Sequence, residues 1–468
     1  MTTVKRLNPV SRVALMGGIG FALLLGLSAF QQEPAKPLGP FGLSQINTRD
    51  GKRASIDDFY LSQDCSLCHP RQWTELRGSM HDVAHEDSLY RHFAELAREE
   101  AGEEVYTYCS SCHSPAGVAT GLIPLLAEQQ LPPEARAGVT CDVCHQISDL
   151  RGEHGPLGEQ GNASFILEPG RKKFGPYENI SRNPAHSGAR FEALGTSEFC
   201  ATCHTVAHPV NGLRIEHTYD EWKNSIYAEK GIQCQDCHMN TVEDALIVAR
   251  TLEPVKVMGT LARKGPEREI SPHYFVGGNI DAATVGGGAR HASMARERLR
   301  TAASLVIEAP VSVAPQGVFD LDVVVTNVAA GHDLPTSLTE LREMWVRILA
   351  FDADGKVVFE SGTLDPHGEI PEGSIRFGSG LVDAEGKPTI RPWEAVDFGW
   401  KRTVPPKGSA RDRVRIVLQK AKGPVTIEAS LLYRVAPPHV LKEVMGEDAF
   451  DPEVIVMATA THSVTVER

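Results

Sequence analysis

The ten cysteines of this chain are five copies of one pattern, and that pattern limits what the chain can become. They read CSLCH (Cys65, Cys68, His69), CSSCH (Cys109, Cys112, His113), CDVCH (Cys141, Cys144, His145), CATCH (Cys200, Cys203, His204) and CQDCH (Cys234, Cys237, His238). No cysteine is left over. Two thiols separated by two residues and followed at once by a histidine form the attachment pattern of c-type haem. The thiols add to the two vinyl groups of the porphyrin as thioethers, and the histidine is held beneath the iron as its proximal ligand. Zinc sites usually combine two Cys pairs in a four-ligand cage, and zinc gives no reason for a histidine after every second cysteine. A redox dithiol needs one motif, and structural disulfides would not impose one spacing five times. The motif count therefore implies five covalently bound c-type haems. It also fits an exported chain, because c-type haem is attached after export.

A second histidine on the far side of each iron would make it six-coordinate and suited to electron transfer. An open position would let it bind a small molecule. The chain has 18 histidines, of which five belong to motifs and thirteen are spare. Surface or capping roles account for most spare histidines, so context selects the candidates. His81 lies in WTELRGSMHDVAH, with His85 and His92 at helical spacing after it; His81 is preferred and His85 is the fallback. His154 lies between glycines in ISDLRGEHGPLG, where the chain can approach a large group closely. His186 sits in the irregular RNPAHSGARF, and His273 in SPHYFVGGN beside aromatic and glycine residues. The last candidate is His332. A strand, FDLDVVVTN, runs into AAGHDLPTS, where Gly331 and Pro335 fix a loop that can hold His332 outwards. Its ligation would require residues after 300 to dock on the motif region. His208 is too close to His204 to reach the far face of the same iron, His217 precedes the helical stretch YDEWKNSIYAE and reads as a residue near its start, and His291 reads as a helix residue.

Composition narrows the rest. A formal charge of −13 with no basic block argues against nucleic acid as a partner, and an acidic surface suits a basic redox partner protein. Lys5, Arg6 and Arg12 precede an uncharged apolar run, Val13–Phe30, which reads as a signal peptide or N-terminal membrane anchor over residues 1–30. The expected location is periplasmic or otherwise extracytoplasmic, with membrane attachment if the segment is retained. Residues 31–60 read as a linker opening with QQEPAKPLGPFG. Residues 61–290 read as a mainly α-helical and loop haem domain. Its porphyrins would supply much of the apolar core, which suits the 6% aromatic content. A glycine-rich connection over 276–290 and a helix near 289–303 follow. The pattern then turns to period two: Phe319, Leu321, Val323 and Val325 alternate with Asp320, Asp322 and Thr326. MWVRILAFDADGKVVFESG reads as a hairpin about Asp-Gly. With RVRIVL, VTIEASLLYRV and VIVMATATHSVTV, this predicts about seven strands in an all-β, immunoglobulin-like sandwich over 300–468.

The motifs, together with W-x5-S-x-H from Trp73 to His81, GVTCDVCH at 138–145, EWKNSIYAEKGIQCQDCHM at 221–239 and GHDLPT at 331–336, resemble multihaem cytochromes c. The resemblance is to the group that includes hydroxylamine oxidoreductase, its tetrahaem electron acceptor and pentahaem nitrite reductase, and it covers roughly residues 61–280. The later region resembles an appended β-module of bacterial multihaem cytochromes. Pentahaem nitrite reductase uses C-x-x-C-K at its active haem, and that motif is absent; hydroxylamine oxidoreductase carries more haems. The resemblance therefore implies an electron carrier. The alternative is a haem oxidoreductase acting on a small nitrogen or sulfur compound at one open iron.

Overall fold

In the computed structural model, residues 42–151, 161–178, 183–281, 288–419 and 421–467 are described. The N-terminal segment 1–30 and His154 lie outside them. Each C-x-x-C-H occupies about one helical turn, as Glu103–His113, Cys141–Gln146 and Cys234–His238 illustrate. At the first and fourth motifs the named helices stop at Cys65 and Ala201, but the turn continues. His69 N–H donates to Cys65 O and His204 N–H to Cys200 O, both at 2.9 Å. Positions i, i+3 and i+4 share a helix face, so both thiols and the imidazole of each motif point the same way.

The rest of the motif region is short helices and short strands around these turns. Helix Ser88–Ala101 is capped by Asp87, whose side chain accepts from Tyr90 N–H; Thr241 caps Val242–Thr251 in the same manner. Among the described residues no helix is long and apolar enough to cross a membrane. The buried side chains are often small (Ala97, Ala116, Ala119, Ala135, Ala163, Ala201). Ala116, Ala119, Ala135 and Ala163 pack with Ile46, Phe59, Val143 and Phe165 in one cluster, and Val143 and Phe165 also line a large cavity.

Two expected connections are structured instead. Residues 42–60, assigned to the linker over 31–60, are packed: Asn47–Thr48 pairs in parallel with part of Phe165–Leu167, and Ile46 and Phe59 are buried. Isolated apolar anchors in a polar stretch outweigh the Pro/Gly punctuation there. The start of the glycine-rich 276–290 segment is likewise buried through Val276 and Ile280.

Beyond helix Ala289–Ala302 the chain is strand-rich. Ala303–Glu308, Val318–Asn327 and Ser409–Val417 form an antiparallel sheet. A second sheet is ordered Ser312–Val313, Ile455–Val466, Val425–Arg434, Glu343–Phe351, Arg376–Val382, Pro388–Thr389, with Val357–Ser361 and Asp397–Arg402 as branches. The described strands here number eleven against about seven expected; Ser312–Val313 and Pro388–Thr389 are too short to register as alternation. Leu321, Val323 and Val325 from one sheet meet Met344, Ile348, Leu431 and Val464 from the other in a shared core. On the outer face Asp320 pairs with Arg415, and Asp322 with Arg411 and Arg413. The hairpin turns at Gly355, whose φ of +76° suits glycine.

Glu343 and Arg434 are cross-strand neighbours and form an ion pair in which Arg434 is 1% exposed. Arg434→Met would leave buried Glu343 with only the more distant Arg376, at 3.9 Å, to offset its charge. A loss of about 3–5 kcal/mol is expected, read as a lower urea midpoint at unchanged slope.

The helical and strand-rich parts form one compact unit. Helix Ala289–Ala302 packs on Val242–Thr251 and on Ile455–Val466, and helix Pro438–Met445 packs on Ser88–Ala101. Arg391 bridges Glu100 at 2.7 Å and Glu443 at 3.0 Å across the same boundary.

Candidate haem-binding site

All ten cysteines line one continuous cavity of about 2410 Å³. A single small-molecule site is roughly 300–1,000 Å³, so this space suits several large groups in contact. The thiols are unpaired by disulfides. Sulfurs of different motifs meet in three places, Cys65 with Cys141, Cys112 with Cys203 and Cys200 with Cys234. Cys144 also lies near Cys203.

The motif histidines have fixed tautomers. Nδ1–H donates to a main-chain carbonyl in four of them: His69 to Leu261 O (2.5 Å), His113 to Ala84 O (2.9 Å), His145 to Phe174 O (2.6 Å) and His238 to Val276 O (2.8 Å). A carbonyl can only accept, so the proton sits on Nδ1 and leaves the Nε2 lone pair for a metal. His204 differs. Its Nδ1–H donates to Glu216 Oε1 at 3.3 Å.

Four of the five motif histidines face a second histidine. The ring centroids are 6.2 Å apart for His69 and His186, 6.1 Å for His81 and His204, 6.4 Å for His145 and His273, and 5.9 Å for His238 and His332. With metal–imidazole bonds of about 2 Å, as at zinc, and about 1.1 Å from Nε2 to the ring centre, two imidazoles sharing one metal have centroids roughly 6.2 Å apart. Nδ1–H of His273 donates to Ser271 O and that of His332 to Asp333 O, so these rings also present Nε2. Burial pushes His81, His238 and His273 down to about 3, keeping them neutral and competent as ligands near neutral pH. Gly138 makes room for His81: a Cβ there would lie 2.3 Å from His81 O.

His113 has a different neighbour. Tyr90 lies flat on its ring at 3.7 Å, with its hydroxyl 3.1 Å from Ser110 Oγ. Among the described residues no histidine faces His113 at the 6 Å spacing. The fallback His85 is committed to Glu128 at 3.0 Å. His92 engages Ser88 O and Asp448, His208 donates to Trp393 O, and His291 donates to Glu75 O.

His332 is held by a clamp between the two parts of the chain. Glu221 accepts from Asp333 N–H (3.1 Å) and from the Thr336 hydroxyl (2.6 Å). Ser337 N–H donates to Thr218 Oγ1, and Leu334 exchanges main-chain hydrogen bonds with Val404. Gly331 lies against the Tyr227 ring. Sequence reasoning selected the loop but missed Glu221 and Glu216, which stand in ordinary acidic surroundings with no motif to mark them.

Burial pushes the clamp carboxyl Glu221 up to about 7, and that of Glu340 up to about 7 as well. A carboxyl with a folded pKa above its unfolded value of 4.5 binds its proton more tightly when folded. Stability from these groups is therefore present at low pH and declines as pH rises from about 4.5 to 7. Calorimetry should show the thermal midpoint falling over that window, with a flatter profile in the Glu221→Gln, Glu340→Gln double variant.

Residues 64–146 match the family model described as cytochrome c554 and c-prime. No curated protein matches the chain. Among solved structures, a penta-heme cytochrome c552 from Thermochromatium tepidum aligns with TM-score 0.61 at 17% identity, covering 88% of this chain and all of that one. A CARDB domain of the PF1109 protein from Pyrococcus furiosus aligns at TM-score 0.17 and 13% identity over 35% of this chain and 87% of its own. A putative superoxide reductase from Thermotoga maritima aligns at TM-score 0.19 and 17% identity over 36% and 91%. The chain has the fold of a multihaem c-type cytochrome, with a helical motif region and a C-terminal region of β-sheets.

Proposed function

We propose that this protein is an exported pentahaem c-type cytochrome that transfers electrons between redox partner proteins through closely packed, bis-histidine haems. The observation that carries this reading is the set of four facing histidine pairs around one cavity lined by every C-x-x-C-H cysteine. The ten cysteines would hold five haems. His69, His113, His145, His204 and His238 would be proximal ligands, and His186, His273, His81 and His332 distal to the first, third, fourth and fifth. Haem iron supplies a reversible ferric–ferrous couple when so held.

His154 is proposed as the distal partner of His113. Asn162, eight residues further along the chain, interacts with Tyr108 beside Cys109, which supports that assignment. The touching thiols set an order of neighbours: the first motif beside the third, and the fourth beside the second and the fifth. Cys144 lies near enough to Cys203 to join the two groups. The fourth motif is thus the junction.

A second reading, an oxidoreductase acting on a small nitrogen or sulfur compound at an open iron, draws on His113, which has no facing histidine among the described residues. Electron paramagnetic resonance of the oxidised holoprotein separates the two. Wholly low-spin iron is expected, with one haem in five becoming high-spin in His154→Ala. A high-spin haem in the unmodified protein would favour the second reading.

A further inference from the structure

Four motif histidines rest on neutral carbonyls; the fifth, His204, rests on a carboxylate. Glu216 ends the strand Arg214–Glu216, which pairs with Val206–Ala207 just beyond His204. It is 7% exposed, and its Oε1 lies 3.3 Å from His204 Nδ1. Its position is fixed from the strand-rich part: Ser337 hydrogen-bonds it, and the Arg342 guanidinium lies near enough to act on it. Ser337 belongs to the loop that carries His332. One loop thus supports the surroundings of two neighbouring motifs.

We propose that Glu216 is a positioning residue that gives the fourth motif the most electron-rich proximal imidazole of the five, holding its haem at the lowest reduction potential. A carboxylate accepting from Nδ1–H draws the proton towards itself and lends the ring imidazolate character, which favours ferric iron. A carbonyl in the same position does this far less. Glu216 is buried, where its field is weakly screened. Arg342 offsets part of the charge but does not contact Nδ1. Because the fourth motif touches the second and the fifth, the lowest potential falls at the junction, a place electrons cross without residing. The proposal rests on the pairing of His81 with His204 in the reading above.

The test is Glu216→Gln in the full holoprotein, with haem content, spin state and a spectroelectrochemical titration measured together. With five haems retained and unchanged spin state, one midpoint of the five should move upward while four stay in place. Glu216→Asp, which keeps the charge, should return that midpoint towards the native value. Five haems with no midpoint moved, or with all five moved alike, would overturn the role of Glu216. If Glu216→Gln does not accumulate, near-infrared magnetic circular dichroism of the unmodified ferric protein decides. About one fifth of the charge-transfer intensity displaced supports the proposal, and a single undisplaced band overturns it. Failure of the underlying reading looks different: His81→Ala would then leave every haem low-spin, and the proposal would fall with it.

Discussion

Without haem attachment the motif region will not reach its native state. The cavity of about 2410 Å³ is lined mainly by apolar surface, most of it from residues 60–342, with Leu43 and residues such as Trp393, Tyr433 and Phe450 also on its wall. Left unfilled, an apolar lining of this extent stays in contact with water and forfeits the burial that stabilises a core. Whole-domain stability is about 5–15 kcal/mol. No rearrangement of the alanine-rich shell around it closes such a gap. Protein made without haem maturation should lose near-UV circular dichroism from the motif region and be cut by protease throughout residues 61–280. The shared core of the two sheets contains no motif cysteine, and the strands between Ala303 and Val466 should resist longer. An apoprotein with the thermal midpoint of the holoprotein would contradict the view that the bound groups are the core.

This dependence explains what the sequence disclosed. The motifs encode their own local geometry, because Cys, Cys and His at i, i+3 and i+4 need only one helical turn. The alternation from Phe319 to Val325 was readable for a similar reason, since one face of that strand meets a dry core. His186, His273 and His332 stood out by their irregular, glycine- or proline-flanked surroundings, and each comes to face a motif histidine. Which motif each one faces was not readable, because the pairing depends on how distant turns pack around groups absent from the sequence. Glu216 and Glu221 were invisible for a related reason. Their roles come from burial and from partners across the boundary between the two parts, and the residues around them look like ordinary solvated helix and strand. The packed stretch from Gly42 to Tyr60 shows the opposite limit: composition suggested a linker, while Ile46 and Phe59 were enough to anchor it.

On the proposed bis-histidine pentahaem reading, His332→Ala should convert one haem in five from low to high spin while the chain stays folded. His332 faces His238 at 5.9 Å, and its Nδ1–H is committed to Asp333 O, so Nε2 is the atom it presents. The loop does not depend on the imidazole for its position. Asn327 donates to His332 O at 2.8 Å, Leu334 is pinned to Val404, and Glu221 holds Asp333 and Thr336. Removing the ring would therefore take away the second histidine that faces His238 without releasing the loop. In electron paramagnetic resonance the high-spin ferric signal should integrate to about one fifth of the total haem. Two controls separate ligation from general loosening. His85 and His291 are buried too, but their Nε2 atoms are taken by Glu128 and by Glu75 O, so His85→Ala and His291→Ala should leave the spin state unchanged. Thr336→Val weakens the clamp without touching a ring nitrogen, and should lower the thermal midpoint while all haems remain low-spin. If His332→Ala left every haem low-spin, the 5.9 Å approach would be packing alone, and the strand-rich part would supply no iron ligand.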